Sequence, residues 1–170
     1  MTTTKIRPNK DNFENDTKPP LPSSINTLTI LTFIGSGIAF LYIVFMPALN
    51  KLMMGFMEKA TESGDDLSAS KLAEIERGKT LIELTQANIV PIMAIGLISV
   101  ILCVVGAIWM RKLKKDGYWL YIAGELLPVI GNFIFLGTEQ FTGIISIVMG
   151  VGVPLLFIGL YSMQLKFLSR

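Results

Sequence analysis

The stretch ISVILCVVGAIWM (residues 98–110) decides the fold, because it is apolar nearly all round a helix and lacks the polar stripe of a soluble helix. IAFLYIVFM (residues 38–46) has the same character. Each stretch lies in a longer uncharged run, residues 19–50 and 84–110, which exceeds the ~20 residues that cross a hydrocarbon core. Barrel strands are about half as long and alternate in polarity, so both runs are predicted to be membrane helices.

Two further apolar runs complete the pattern. Glu125 alone interrupts residues 117–137, and residues 140–164 carry no charge. We predict an all-α membrane protein, an antiparallel four-helix transmembrane bundle. Its parts are a flexible cytoplasmic tail at residues 1–24 and a four-helix transmembrane domain at residues 25–170. The domain contains an extracytoplasmic helical loop at about 51–80. Its spans are predicted at about 25–49, 82–110, 117–137 and 141–164.

The distribution of basic residues predicts the orientation. The linker RKLKKDG (residues 111–117) carries four basic residues within five positions, a pattern typical of the cytoplasmic side. In residues 51–80, acidic side chains outnumber basic ones by six to five. We therefore expect a multi-pass protein of the cell inner membrane with both termini cytoplasmic. The residues expected at the lipid headgroups are Arg111, Lys112, Lys114, Lys115, Trp109 and Trp119.

The outer loop is predicted to contain two short helices. Met53, Phe56 and Met57 recur at helical spacing, which suggests that the first span continues beyond the lipid surface. Residues 63–66 (SGDD) should end that helix, and residues 67–77 should form a second one that ends near Gly78. These helices would cap the bundle or lie at the membrane interface; a docking surface for a partner is the alternative.

Glu125 is the one ionisable side chain well inside a span, where a charge costs roughly 2.5 to 3.5 kcal/mol even on mild insertion scales. Counted from Gly117, it is expected in the cytoplasmic half of the membrane. Tyr121 and Asn132 lie on the same helical face, so these three residues form a candidate polar site. One interpretation is a proton or cation pathway. The other, which the sequence favours, is a neutral, hydrogen-bonded acid that helps helices pack.

Small residues at helix-packing spacing occur in three spans and are predicted to let helices approach closely. A substrate groove is the alternative interpretation of the same residues. Prolines in spans two, three and four are expected to kink those helices. The packing residues are Gly35 and Ala39 in the first span, Gly96 and Ser99 in the second, and Gly143, Ser146 and Gly150 in the fourth.

Several classes of chemistry have no support in the sequence. The chain has no histidine and a single cysteine, so zinc, haem ligation by histidine and disulfides are not predicted. It has no nucleotide-binding, metalloprotease or nucleophile-elbow motif. The short basic linker does not indicate nucleic-acid binding. We therefore predict no enzymatic activity, no cofactor and no metal, catalytic or cofactor-binding residues.

The polar tail, the four spans, the linker RKLKKDG followed by YWLYIAGELLPVIGNFIFLG, and the end FIGLYSMQLKFLSR form a pattern across the whole chain. It resembles small, uncharacterised four-span proteins of bacterial inner membranes. That resemblance implies no activity and carries over no functional residue. The residues favour a structural, accessory or interaction subunit whose partners are the lipid bilayer and a homo-oligomer or larger membrane complex. The alternative is a small oligomeric transporter or channel that uses Glu125.

Overall fold

The structure, a computed structural model, describes residues 23–62, 68–141 and 143–168. These residues form helices and include no strand. Four helical segments are long and apolar enough to cross a membrane: Ser23–Glu62, Ile89–Arg111, Asp116–Leu136 and Ile144–Ser162. The predicted all-helical class with four candidate spans is thereby confirmed. Most of the predicted tail falls on residues 1–22, outside the described residues, and the first helix begins at Ser23, before the predicted boundary.

The first helix, α1 (Ser23–Glu62), is longer than any span requires. Its 40 residues correspond to about 60 Å, roughly twice the thickness of a hydrocarbon core. It passes through Pro47 and runs on beyond residue 49, where the predicted span ends. The break predicted at residues 63–66 lies outside the described residues. The last turns of α1 therefore extend past one face of the bundle.

The helix α2 (Ala69–Ala87) packs beside the extended end of α1. The prediction that this helix would end near Gly78 is wrong, because Gly78 lies inside α2. A Cβ atom at Gly78 would come within 2.6 Å of the methyl carbon of Met57 on α1. The glycine here provides room for a neighbouring helix instead of ending its own. Lys79 adds a contact by donating a hydrogen bond of 3.1 Å to the hydroxyl of Thr61.

The second span is α3 (Ile89–Arg111), which begins seven residues later than the predicted residue 82. Asn88 separates α2 from α3 with a non-helical φ of −113°. The physical reason is Pro91, which has no backbone N–H for the carbonyl of Ala87 and crowds it sterically. The side chain of Asn88 donates to the carbonyl of Leu84 at 3.0 Å and so caps the end of α2.

The third span, α4 (Asp116–Leu136), agrees with the predicted residues 117–137 to within one residue at each end. A short linker that includes Leu113, with a φ of 59°, joins it to α3. Gly137 follows α4 with a φ of 64°, a conformation that favours glycine, and begins a 3-10 turn at Gly137–Phe141. This turn leads into the fourth span.

The fourth span is not one regular helix. It consists of α5 (Ile144–Ile147), a π-helical turn (Val148–Gly152) and α6 (Val153–Ser162), and a 3-10 turn at Leu165–Phe167 follows. Pro154 stands at the start of α6 and offers no N–H to the preceding turn, which accounts for the wider π turn just before it. The irregularity predicted from this proline takes the form of a π turn.

Two clusters of buried side chains hold the spans together. One contains Ile25, Met110, Tyr118, Tyr121 and Tyr161, so it joins the start of α1 to the α3–α4 linker and the end of α6. The other contains Met46, Ile92 and Leu136 and lies toward the opposite ends of α3 and α4. Tyr121 of the candidate site belongs to the first cluster, as does Cys103, and Glu125 follows Tyr121 by one turn of α4 in the direction of the second cluster.

Candidate functional site

Close contact between α3 and α4 sets the position of the polar residues. A Cβ atom at Gly106 would lie 2.7 Å from the carbonyl oxygen of Gly117, and one at Gly124 would lie 2.6 Å from the sulfur of Cys103. The two backbones approach this closely only because glycine has no side chain. Ser99 on α3 also donates a hydrogen bond of 2.7 Å to the carbonyl of Gly124. These contacts fix the register that places Glu125 opposite Cys103.

Glu125 lies close to the middle of α4, nine residues after Asp116 and eleven before Leu136. Glu125 thus precedes the midpoint of α4 by about one residue, and its location in the cytoplasmic half of the membrane stays a prediction. Its side chain is half-buried. The Cys103 sulfur lies 3.9 Å from its Oε1 oxygen, which allows at most a weak hydrogen bond. The hydroxyl of Tyr121, one turn earlier on α4, also lies near the carboxyl.

Tyr161 links the fourth span to this polar group. Its hydroxyl shares a hydrogen bond of 2.8 Å with the hydroxyl of Thr32 on α1. Its ring packs against that of Tyr121 with centroids 4.6 Å apart and planes tilted by 56°. Both tyrosines are 1% exposed. Thr32 and the two tyrosines thus form a firm contact among α1, α4 and α6 at one end of the site.

A cavity of about 280 Å³ adjoins this contact and is bordered by α1, α3, α4 and α6. Most of the residues that line it from α3 and α4 are polar, whereas α1 and α6 supply mostly apolar residues together with two hydroxyls. The lining residues are Leu31, Thr32, Gly35, Ser36, Ala39, Ser99, Val100, Cys103, Tyr121, Glu125, Pro128, Val153 and Phe157. Within the part of the chain that the structure describes, no lysine or arginine is among them.

The structure brings together two of the three residues of the predicted polar site. Glu125 and Tyr121 both line the cavity, whereas Asn132, two turns further along α4, is not among its lining residues. Thr32 and Cys103, which were not part of the predicted polar site, also line the cavity. Both residues reach the cavity because of the way α1 and α3 are rotated against α4. The spacing of residues within a single helix does not reveal that rotation.

The predicted packing residues fall into three groups. Gly96 and Ser99 lie at helix contacts, since a Cβ atom at Gly96 would come within 2.9 Å of Ile43 on α1. Gly35 and Ala39 line the cavity instead, and a Cβ atom at Gly35 would have no atom within 4 Å. The predicted line in the fourth span, Gly143, Ser146 and Gly150, is exposed at its first two positions and half-buried at the third.

Sequence reasoning missed the glycines of α4. Gly117, Gly124 and Gly131 recur every seven residues, so they lie along one face of the helix. All three are buried, and a Cβ atom at Gly131 would come within 2.9 Å of Ile95 on α3. The seven-residue spacing was the available signal. The prediction was instead based on the polar residues of a neighbouring face of α4.

The residues predicted at the headgroups lie around the linker between α3 and α4. Trp119 is 67% exposed, and the amino group of Lys114 lies 5.7 Å from the ring centre of Trp109. Arg111, Lys112 and Lys115 are exposed as well. A contact between these residues and anionic lipid stays a prediction. Within the described residues, no group of three or more histidine, cysteine, aspartate or glutamate side chains could hold a metal ion.

Comparison with known proteins assigns no family: no family model, no curated protein and no solved structure matches this chain. The resemblance to small four-span proteins of bacterial inner membranes stays a prediction.

Proposed function

We propose that the chain is a multi-pass protein of the cell inner membrane, folded as an antiparallel bundle with both termini in the cytoplasm. Support for opposite directions comes from α3 and α4, where Ile95 contacts Gly131, Cys103 contacts Gly124 and Gly106 contacts Gly117. The contact positions rise along one helix as they fall along the other. Support for the orientation comes from the exposed basic residues between these helices.

The function proposed for this bundle is to bind a proton or small cation at Glu125 and to pass it across the membrane, as a small oligomeric transporter or channel without enzymatic activity. One observation carries the proposal: the Glu125 carboxyl lines a cavity at the middle of a membrane-spanning helix. Ionisable residues within spans face bundle interiors or cavities and often mark ion pathways. The sequence alone favoured a purely structural role for Glu125. The cavity supports a role in an ion pathway instead.

The neighbours of Glu125 support a cationic ligand. Thr32 bonds to Tyr161 and Ser99 bonds to a backbone carbonyl, so these hydroxyls already have partners. Among the residues that the structure describes, Glu125 has only a distant thiol and the nearby Tyr121 hydroxyl. A carboxylate in a water-poor site is stabilised by an opposite charge, and among the described lining residues there is none. A bound proton or cation would supply it.

Flux measurements in proteoliposomes test this proposal. The purified protein is reconstituted, and proton, sodium and potassium fluxes are measured under an imposed gradient. We expect one of these fluxes to exceed that of empty liposomes, and Glu125→Gln to reduce it at least about tenfold, because the amide keeps the shape but cannot carry the charge. The matched control is Glu83→Gln, which removes an exposed carboxyl on α2 and should leave the flux unchanged.

Two results would contradict the proposal. One is a folded, reconstituted protein that conducts none of the three ions above the level of empty liposomes. The other is a flux that survives Glu125→Gln at the level of the Glu83→Gln control. Helix content and a monodisperse elution profile show in each case that the variant is folded.

A second candidate function, a structural or accessory subunit, is favoured by the exposed beginning of the fourth span. Ile144 and Ile145 are 82% and 80% exposed, and Met149 is 65% exposed. Only 6% of the most apolar part of this span is buried, against 22% in each of the other three. Crosslinking in native membranes tests this function. A stoichiometric partner protein would support the accessory role, whereas a ring of identical copies would support the transporter.

A further inference from the structure

We infer that the cavity takes an organic amine with an apolar body, and that this ligand enters from the bilayer through a gap between α1 and α6. The inference rests on the proposed function, because Glu125 must act as a cation site. It adds the class of ligand and the route of entry. The observations that carry it are the two unlike walls of the cavity and the exposure of its outer wall.

The two walls of the cavity match the two ends of such a ligand. Glu125 and Ser99 belong to the inner wall on α3 and α4, where a positively charged ammonium group would meet a carboxylate and a hydroxyl oxygen. Tyr121 adds an aromatic ring to the same wall, and aromatic rings attract cations. Leu31 and Val153 form part of the outer wall and would contact the apolar body.

The outer wall is open at the surface of the bundle. Leu31 on α1 is 47% exposed and Val153 on α6 is 38% exposed, although both line the cavity. Gly35 lies between Leu31 and Ala39, is exposed, and would have no atom within 4 Å of a Cβ. A residue that both lines a cavity and faces outward marks an opening, so α1 and α6 border a gap at this level.

The depth of the gap decides where the ligand comes from. Thr32 and Tyr161 are 6% and 1% exposed and their hydrogen bond closes the side of the cavity nearer the chain ends. Glu125 lies about one residue from the middle of α4. At that depth the surroundings of a spanning bundle are acyl chains and not headgroups. A ligand that enters there must be soluble in lipid, which excludes hydrated metal ions from this route.

The size of the cavity limits the ligand to a small molecule. Its volume of about 280 Å³ is near the lower end of the ~300 to 1,000 Å³ typical of small-molecule sites. A compound with one aromatic ring and a compact ammonium group is of a suitable size. Benzyldimethylamine is such a probe, because its neutral form dissolves in lipid and takes up a proton to become the ammonium that pairs with the Glu125 carboxylate. Isobutylbenzene replaces its nitrogen by carbon and is a neutral control of the same shape.

Binding to the full chain in lipid nanodiscs tests the ligand class, with empty nanodiscs as the reference for partition into lipid. We expect benzyldimethylamine to bind above that reference. Its affinity should fall about 10- to 100-fold in Glu125→Gln, the range of a lost charge-assisted contact. Isobutylbenzene should bind more weakly, and its binding should not respond to Glu125→Gln. Trimethylamine, which gains the charge without the aromatic body, should also bind more weakly.

A pair of glycine variants tests the route of entry. Gly35→Leu places a side chain in the gap and should slow the association of benzyldimethylamine at least about tenfold, because the body of the ligand must pass this position. Gly37→Leu is the matched control. Gly37 is also exposed with no atom within 4 Å of a Cβ, but it does not line the cavity. We expect its association rate to remain within about twofold of the parent, as for a surface site away from the ligand.

The outcomes separate this inference from the proposed function. If benzyldimethylamine does not bind above empty nanodiscs while an ion flux still depends on Glu125, the amine site is refuted and the proposed function stands. If neither the probe nor any ion responds to Glu125→Gln, both fail. If the probe binds but Gly35→Leu and Gly37→Leu associate at equal rates, the lateral route is refuted. Equal binding of the charged and neutral probes would overturn the role of the carboxylate.

Discussion

The contact between α3 and α4 differs sharply from the contact between the fourth span and the rest of the bundle. Gly106, Gly117 and Gly124 let α3 and α4 touch backbone to backbone, and Ser99 adds a hydrogen bond. The fourth span meets the bundle mainly near Tyr161, while its beginning is exposed. One region thus holds Glu125 at a fixed position, and the other leaves a space beside it.

This difference suggests that the two regions have different roles in binding. A carboxyl that binds a cation needs a rigid support, because a shift of about 1 Å weakens a charged contact considerably. The same site needs a route of entry, which close packing on every side would prevent. The glycine contact supplies the support, and the gap between α1 and α6 supplies the route.

The largest predicted effect comes from filling the close contact. Gly106→Leu would place side-chain atoms within 2.7 Å of the Gly117 backbone, which cannot move aside as a flexible side chain can. We expect the free energy of unfolding to fall by about 3 kcal/mol, at the upper end of overpacking effects. Denaturation in mixed detergent micelles measures it. Gly159→Leu, in the fourth span with no atom within 4 Å of a Cβ, should change it by less than about 0.5 kcal/mol.

Equal losses in these two variants would show that α3 and α4 are not in closer contact than the fourth span. A stable Gly106→Leu variant would have the same meaning, because separated helices would accommodate the larger side chain.

A smaller effect is expected from the hydrogen bond that fixes the α3–α4 register. Ser99→Ala removes the donor to the Gly124 carbonyl. Hydrogen bonds between membrane helices contribute about 0.6 kcal/mol on average and up to about 1.7 kcal/mol. We expect a loss of about 1 kcal/mol in the same unfolding assay, because this bond is short and buried. Ser146→Ala, at an exposed position of the fourth span, is the control and should leave stability unchanged. Indistinguishable variants would contradict the proposed role of Ser99.

The smallest effect concerns the bond that holds the fourth span to α1. Thr32→Val and Tyr161→Phe each remove one partner of the 2.8 Å hydrogen bond, and the double variant removes both. We expect a coupling energy of about 0.6 kcal/mol from the double-mutant cycle, the average for such pairs in membranes. A coupling energy near zero would mean that the fourth span is held by ring packing alone.

The four spans could be predicted because the length of an apolar run is a local property of the sequence. The boundary between α2 and α3 could not be predicted in the same way. Gly78 has the usual character of a helix end, but its contact with Met57 keeps it inside a helix, and the break occurs at Asn88 instead. The contact between α1 and α2 therefore outweighs the local tendency of glycine to end a helix.

The candidate site was predictable only in part. Tyr121 and Glu125 lie four residues apart on one helix, so their proximity follows from helix geometry. Thr32 and Cys103 reach the same cavity only because α1 and α3 are rotated toward α4, and that rotation depends on packing. The cavity itself results from the separation of α1 and α6, which no residue pattern within a single span encodes.

Chemical modification of Glu125 tests the central claim most directly, namely that an intramembrane carboxyl is reached from the bilayer. The reconstituted protein is treated with a lipid-soluble carbodiimide or with a water-soluble, membrane-impermeant one, and each carboxyl is assayed by mass spectrometry. The account predicts that Glu125 reacts with the lipid-soluble reagent and not with the water-soluble one, and that exposed Glu83 reacts with the water-soluble reagent. Failure of Glu125 to react with the lipid-soluble reagent in the folded protein would contradict the account.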